Sequence, residues 1–296
     1  MHIYDNRLKI ENIKALDTFV NRVADTGALN LVRVDTIDFK NVSFTYPSAT
    51  APALDGVSFL LRKEEKVALV GLNGSGKSTM IKLLLRVYDQ DTGTIHINGH
   101  GIKEYKLSEL HANFSVYFQE MCNYSFTLRE NLTFADDGQE DDAATIEAAL
   151  LEAYCGDMIN ESPKELDAGL PRFFDPEGIE LSGGQHQKLA LARTFYRRHT
   201  ALVLDEPSSN LDPMAEHHIF ESLRTFTDDK MTIFTSHRLS NVALADRIIV
   251  LESGRVIEDG TQRSCWQINS GTPSYSATNR NGIWWIHVDS IDRRWY

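Results

Sequence analysis

Gly71-Leu72-Asn73-Gly74-Ser75-Gly76-Lys77-Ser78 is the stretch of this chain whose reading decides the fold. It satisfies G-x-x-x-x-G-K-[ST] at every fixed position. Before it, Val67-Ala68-Leu69-Val70 reads as a short apolar strand, and after it Ser78 to Tyr88 reads as a helix. A glycine-rich turn in that setting lets backbone N–H groups point inward around phosphate oxygens, and the helix N-terminus adds positive potential. Lys77 then reaches the β- and γ-phosphates of a nucleotide. The Ser78 hydroxyl ligates Mg2+, and Thr79 lies on the α-phosphate side. The plain alternative is a strand–helix turn that binds nothing, which the strand before and the helix after disfavour.

Downstream, Ala201-Leu202-Val203-Leu204-Asp205-Glu206 is an apolar run closed by two acids. Such a run places the acids at the C-terminal edge of a buried parallel strand, beside the phosphate loop. Asp205 would hold Mg2+ through water, and Glu206 would polarise an attacking water. Two adjacent acids are usually a solvated turn, but these follow a buried strand and precede Pro207. Between loop and acids comes Leu181-Ser182-Gly183-Gly184-Gln185. Alone, Ser-Gly-Gly reads as a helix cap, with Ser182 capping Gln185 to Tyr196. Cap and function are compatible, because a helix start with two glycines offers bare N–H groups to an anion.

A phosphate loop, an LSGGQ and an Asp–Glu strand end in this order resemble the nucleotide-binding domain of an ATP-binding cassette (ABC) protein, over roughly Val34 to Gly260. The resemblance implies ATP and Mg2+ as ligands and hydrolysis of ATP as the activity. It implies a second cassette as partner, because the Ser182, Gly183, Gly184 and Gln185 signature faces a γ-phosphate bound on the opposite subunit. Gln119 resembles the glutamine that touches Mg2+ or the attacking water. His237, in Thr235-Ser236-His237-Arg238, resembles the switch histidine near the γ-phosphate. Ser209-Asn210-Leu211-Asp212 resembles the family's D-loop, with Asp212 a nucleotide-binding candidate and Ala commoner at the Asn210 position. Tyr46 resembles the aromatic that stacks on adenine, with a core aromatic at a strand end as the alternative.

Within the family, Val42-Ser43-Phe44-Thr45-Tyr46-Pro47, Leu128-Arg129-Glu130-Asn131-Leu132 and Ser236-His237-Arg238-Leu239-Ser240 look exporter-like. A lead-in helix, Ile3 to Asn21, is similar to the cytoplasmic end of the last transmembrane helix in such fusions. The transmembrane domains of an exporter are therefore expected as partners, with the cassette at the cytoplasmic side of the membrane. Phe174-Asp175-Pro176-Glu177-Gly178 stands where many exporters carry a Gly–Glu-rich cross-talk segment. Rival readings are a soluble ABC ATPase that remodels a protein complex, and a non-transporting gene fragment that binds ATP.

Composition agrees with an ordinary globular protein. The chain has 296 residues, 42% hydrophobic and 24% charged, enough for a sizeable core. Its formal net charge of −12 argues against nucleic acid as a partner. No apolar run reaches the roughly 18 residues of a bilayer span. Cys122, Cys155 and Cys265 are scattered and read as free thiols.

The expected fold class is α/β: a P-loop NTPase core with a mostly parallel sheet, an antiparallel β subdomain and a helical subdomain. Val34–Phe39, Val42–Tyr46, Val57–Leu61 and Thr94–Gly99 read as front strands, and Met231–Thr235 and Arg247–Leu251 as later ones. A mostly helical, acidic stretch runs from Leu107 to about Pro176, with a solvated acidic loop at 136–142, and a further helix covers Pro213 to Phe226. The expected organisation is a lead-in helix and linker over 1–30, a cassette over 31–261 with a helical insertion at about 107–196, and an atypical tail over 262–296. All four tryptophans fall in that tail, among Ser, Asn, Thr and Gly without a helical or strand period. Shifting the reading frame there permits a peptide like the usual exporter tail, so a frameshift near Thr261 is the expectation that coding DNA decides.

Overall fold

The computed structural model describes residues 23–118, 124–136, 138, 142–172, 175–207, 230–236, 242 and 245–261. The lead-in helix, the helix over 213–226 and the tail lie outside the described residues.

Two strand patterns build two sheets. Strand β1 (Thr36–Phe44) alternates buried and solvent-facing positions over much of its length, as does β2 (Leu54–Arg62). They pair antiparallel, and β4 (Thr92–Ile97) and β5 (His100–Gly101) extend the sheet to the order β2-β1-β4-β5. The two front strands expected over 34–46 are one strand. Lys40 and Asn41 are both exposed, Asn41 takes φ 50°, and the register shifts between Phe39 and Val42. A bulge restores the alternation beyond it, so the sequence shows two periods where the backbone runs on.

The second sheet joins β3 (Lys66–Val70), β6 (Phe114–Tyr117), β7 (Ala201–Leu204), β8 (Met231–Ser236), β9 (Arg247–Glu252) and β10 (Arg255–Gly260) in the order β10-β9-β3-β8-β7-β6. All pairs are parallel except the β9–β10 hairpin. Every residue of β7 and β8 is buried, as strands covered on both faces must be. The mostly helical stretch from Leu107 therefore contains an edge strand, β6, and β10 is a strand that periodicity did not mark.

Successive side chains of this sheet feed two separate cores. Ala68, Leu202, Leu204, Phe234 and Ile248 point to one core, shared with Leu150, Leu189 and Phe195 of the helical layer. Val67, Leu69, Ala201, Val203, Ile233 and Ile249 point to the other, shared with Phe39, Leu54, Ile95 and helix α1 (Lys77–Leu84). The pleat's period of two thus sorts one sheet between the antiparallel β layer and the helices. The expected helix Ser78–Tyr88 ends early, at Leu84, and Arg86 takes φ 50°.

The remaining α-helices among the described residues are α2 (Leu107–Asn113), α3 (Leu128–Thr133), α4 (Ala143–Glu152) and α5 (Gly183–Tyr196). Asp142, at the end of the acidic run, caps α4 by accepting from the Ala144 and Thr145 amides. Arg193 of α5 donates to the backbone and side-chain oxygens of Asn131, fastening α5 to α3. Among the described residues no helix is long and apolar enough to cross a membrane.

Candidate nucleotide site

Parallel pairing puts the C-terminal ends of β3, β7, β8 and β9 on one edge of the sheet, where open α/β sheets place their ligands. Gly71–Ser78 leaves β3 on that edge and runs into α1, whose first residue is Lys77. Gly74 and Gly76 take φ 80° and 110°, the left-handed region that favours glycine. A Cβ on Gly74 would meet nothing within 4 Å, so the loop's outer rim is open. A Cβ on Gly76 would strike Leu54 Cδ2 at 2.6 Å and the Ala53 carbonyl at 2.8 Å. The loop is propped from below by the β9–β10 turn, where the Gly254 amide donates to the Ser75 carbonyl at 3.1 Å.

Inside this loop Lys77 is buried, and its Nζ donates to the Gly71 and Leu72 carbonyls at 2.7 and 3.2 Å. Burial pulls its pKa below the usual lysine value, while Glu206 and Asp205 act in the opposite direction by attracting the cation. The ammonium and both acids therefore belong to one electrostatic neighbourhood. Ser78 is exposed, whereas the Ser75 hydroxyl is buried without a hydrogen-bond partner.

Asp205 continues β7 past Leu204, and its amide donates to the Tyr117 carbonyl at 2.8 Å. Only 6% of its surface is exposed. The two acids share one fixing group, Thr235 on β8, which is fully buried. Its hydroxyl donates to Asp205 Oδ1 at 2.7 Å and accepts from the Glu206 amide at 2.8 Å. Glu206 takes φ 50°, a left-handed conformation uncommon outside glycine and asparagine. Backbone strain of this kind persists where the surroundings enforce it. Sequence reasoning assigned no role to Thr235; the signal was its place on the strand beside the acids, which needs the strand order.

Ser182–Gln185 starts α5 with a reciprocal cap. The Ser182 hydroxyl accepts from the Gln185 amide at 3.3 Å, and Gln185 Oε1 accepts from the Ser182 amide at 2.8 Å. A Cβ on Gly183 or Gly184 would meet nothing within 4 Å. Among the described residues nothing packs where either side chain would stand, and neither glycine has a left-handed φ.

Tyr46, the adenine-stacking candidate, is engaged within the chain. Its ring packs edge-on against Phe44 and Tyr88 at 5.0 and 5.4 Å, and Lys82 Nζ lies 5.8 Å from its centre. Its hydroxyl pairs with Thr79 Oγ1 at 3.1 Å. The structure thus ties the adenine-side candidate to the phosphate-side candidate. Gln119, His237 and Asp212 lie outside the described residues.

The residues present fit a Mg2+–nucleotide. A buried serine hydroxyl lacks a partner, an open glycine rim borders a buried lysine, and a carboxylate is held at the strand end. Among the described residues there is no cluster of three His, Cys, Asp or Glu able to hold a metal alone. A hydroxyl, a single carboxylate and phosphate oxygens make the donor set that Mg2+ takes.

The fold and this edge define a P-loop nucleotide-binding protein. Residues 54–209 match the family model described as ABC transporter, and the chain belongs to that family. It is 40% identical over 228 residues to the subtilin transport ATP-binding protein SpaT of Bacillus subtilis, covering 77% of this chain and 37% of that protein. It is 40% identical over 238 residues to the ATP-dependent lipid A-core flippase of Photobacterium profundum, covering 80% of this chain and 40% of the flippase. Among solved structures it resembles a bacterial Atm1-family ABC exporter with ATP bound, with a TM-score of 0.77 and 32% identity. That match covers 88% of this chain and 44% of the exporter. The chain thus spans about two fifths of the length of the curated relatives it matches, and the matching portion is the ATP-binding cassette of an exporter.

Proposed function

We propose that this cassette hydrolyses ATP in a head-to-tail pair and powers export through transmembrane domains, working at the cytoplasmic side of a membrane. The observation that carries the reading is the Thr235 hydroxyl, which holds Asp205 and Glu206 together at the sheet edge that also carries Lys77. Gly71, Asn73, Gly74, Ser75 and Gly76 offer their amides to the phosphates, and Lys77 neutralises the outer ones. Ser78 and Asp205, with Gln119, would hold Mg2+, which supplies positive charge against the triphosphate. Thr79 lies on the α-phosphate side, and Tyr46 meets the adenine.

Glu206 accepts a hydrogen bond from the attacking water and orients it for in-line attack, with His237 near the γ-phosphate. Stabilisation of the spread charge on the transferring phosphoryl group comes from Lys77 and from the partner's signature. The open face over Gly183 and Gly184 supports that second role, since no described residue packs against either glycine's Cβ position. Asp212 completes the dimer site. The pairing is with a second copy or with a similar cassette, and nucleic acid is not a partner. The exported substrate is selected by membrane domains beyond the matched cassette.

Glu206→Gln tests the reading. The variant keeps nucleotide binding and gains a stable ATP-bound dimer, detected by size-exclusion chromatography, while steady-state hydrolysis drops by roughly a hundredfold or more. Turnover near the wild-type rate in this variant removes Glu206 from the role.

A further inference from the structure

The signature's cap has a second support that the motif itself does not contain. Gln185 is held at both ends of its amide. Its Oε1 accepts from the Ser182 amide at 2.8 Å, and its Nε2 donates to Glu161 Oε1 at 2.6 Å. An amide side chain freed of its second partner can rotate or flip, which exchanges acceptor for donor. Glu161 therefore selects the orientation in which Gln185 closes the cap.

Glu161 in turn ends a 3-10 turn, Gly156–Glu161, anchored in the helical core by Met158. The next residue, Ser162, is buried, and its hydroxyl donates to the Glu177 carbonyl at 2.6 Å. Two residues on, Lys164 Nζ donates to both Asp175 carboxylate oxygens at 2.9 and 2.8 Å and lies 3.4 Å from Glu177 Oε2. Asp175 and Glu177 belong to the segment that replaces the usual cross-talk stretch of exporters. In this chain that segment is an ionic clamp, and the clamp fixes the stretch of chain that carries Glu161.

We propose that Glu161 is a positioning residue for the signature, holding Gln185 so that the Ser182–Gln185 cap is set before a second cassette arrives. The role of the signature in hydrolysis rests on the function proposed above; the positioning itself is a property of the single chain.

Amide hydrogen exchange on the full chain without nucleotide tests it, read on peptides spanning Leu181–Gln187. Glu161→Ala speeds exchange at the Ser182 and Gln185 amides by roughly fivefold, the loss of protection that follows from losing one hydrogen bond. Glu161→Gln, which keeps an acceptor oxygen, stays within about twofold of wild type. Peptides from β7 serve as the reference and do not change. If Glu161→Ala does not fold, Glu161→Asp decides, because withdrawing the carboxylate by one methylene breaks the same bond. Unchanged exchange in the broken-bond variant overturns the proposal, as does equal acceleration in Glu161→Gln. In a parallel assay, Glu161→Ala lowers kcat by roughly threefold to tenfold with nucleotide binding unchanged. A wild-type chain that hydrolyses no ATP counts against the proposed function, and the exchange result still decides this inference.

Discussion

Thr235 donates its hydroxyl proton to Asp205 across the β7–β8 pair at 2.7 Å, one step beyond the last strand pair, Leu204 and Phe234. The same oxygen accepts from the Glu206 amide, so one buried hydroxyl sets the carboxylate proposed for Mg2+ and the backbone of the proposed base. Thr235→Val keeps the shape and removes both bonds. It is expected to cost about 1–3 kcal/mol of stability in urea unfolding, since two buried polar groups lose a partner. ATP hydrolysis should fall by roughly tenfold or more. Thr235→Ser, which retains the hydroxyl, should recover most of both.

Two glycines with opposite surroundings should respond oppositely. Gly76→Ala forces a side chain into a φ of 110° and against the Ala53 carbonyl. It is expected to destabilise the fold by about 1–3 kcal/mol and to weaken nucleotide binding. Gly183→Ala meets open space among the described residues and lies in a helix, where alanine is favoured. Its thermal midpoint should hold or rise, while ATP hydrolysis drops if the methyl group stands on the face proposed above to meet a second cassette. Thermal unfolding and ATPase measurements on the same preparations separate the two cases.

His186 follows the signature on α5, with Nδ1 buried and without a hydrogen bond. Burial pulls its pKa below the usual 6.5; Glu180 opposes this and Arg193 reinforces it. The folded state therefore binds fewer protons than the unfolded state as pH falls through that region. The stability this residue contributes is complete above the unfolded value and is lost as pH falls through the lowered folded value. His186→Gln should flatten that part of the stability–pH profile, measured by urea midpoints between pH 7.5 and 5 (about four points suffice).

Cys155 is buried in the helical core, and its thiol donates to the Leu150 carbonyl at 3.3 Å. Burial pushes its pKa up to about 12. At pH 8 it should resist iodoacetamide in the native protein and react once urea unfolds the chain, as site-resolved mass spectrometry would show.

The separate parts of the site were legible because contiguous residues carry them. The phosphate loop needs only local backbone geometry, and its glycines and lysine stand at fixed offsets. The Ser182 cap is likewise a relation across three residues, and the acids close an apolar run. Even the family resemblance rests on such short stretches and their order.

What tertiary structure decided is how those parts meet. Thr235 is 30 residues from Asp205 and reaches it because β8 lies between β3 and β7. Glu161 is 24 residues from Gln185 and reaches it through a turn locked by its own ionic clamp. Tyr46 and Thr79 are 33 residues apart and share a hydrogen bond because α1 packs under the antiparallel sheet. The bulge at Asn41 and the edge strand β6 were hidden for the same reason. Sequence period reports which face of an element is buried, while strand order and side-chain partners depend on contacts between distant segments. The sequence therefore determined which chemistry this chain carries, and the packing of its two cores decided which side chains hold that chemistry in place.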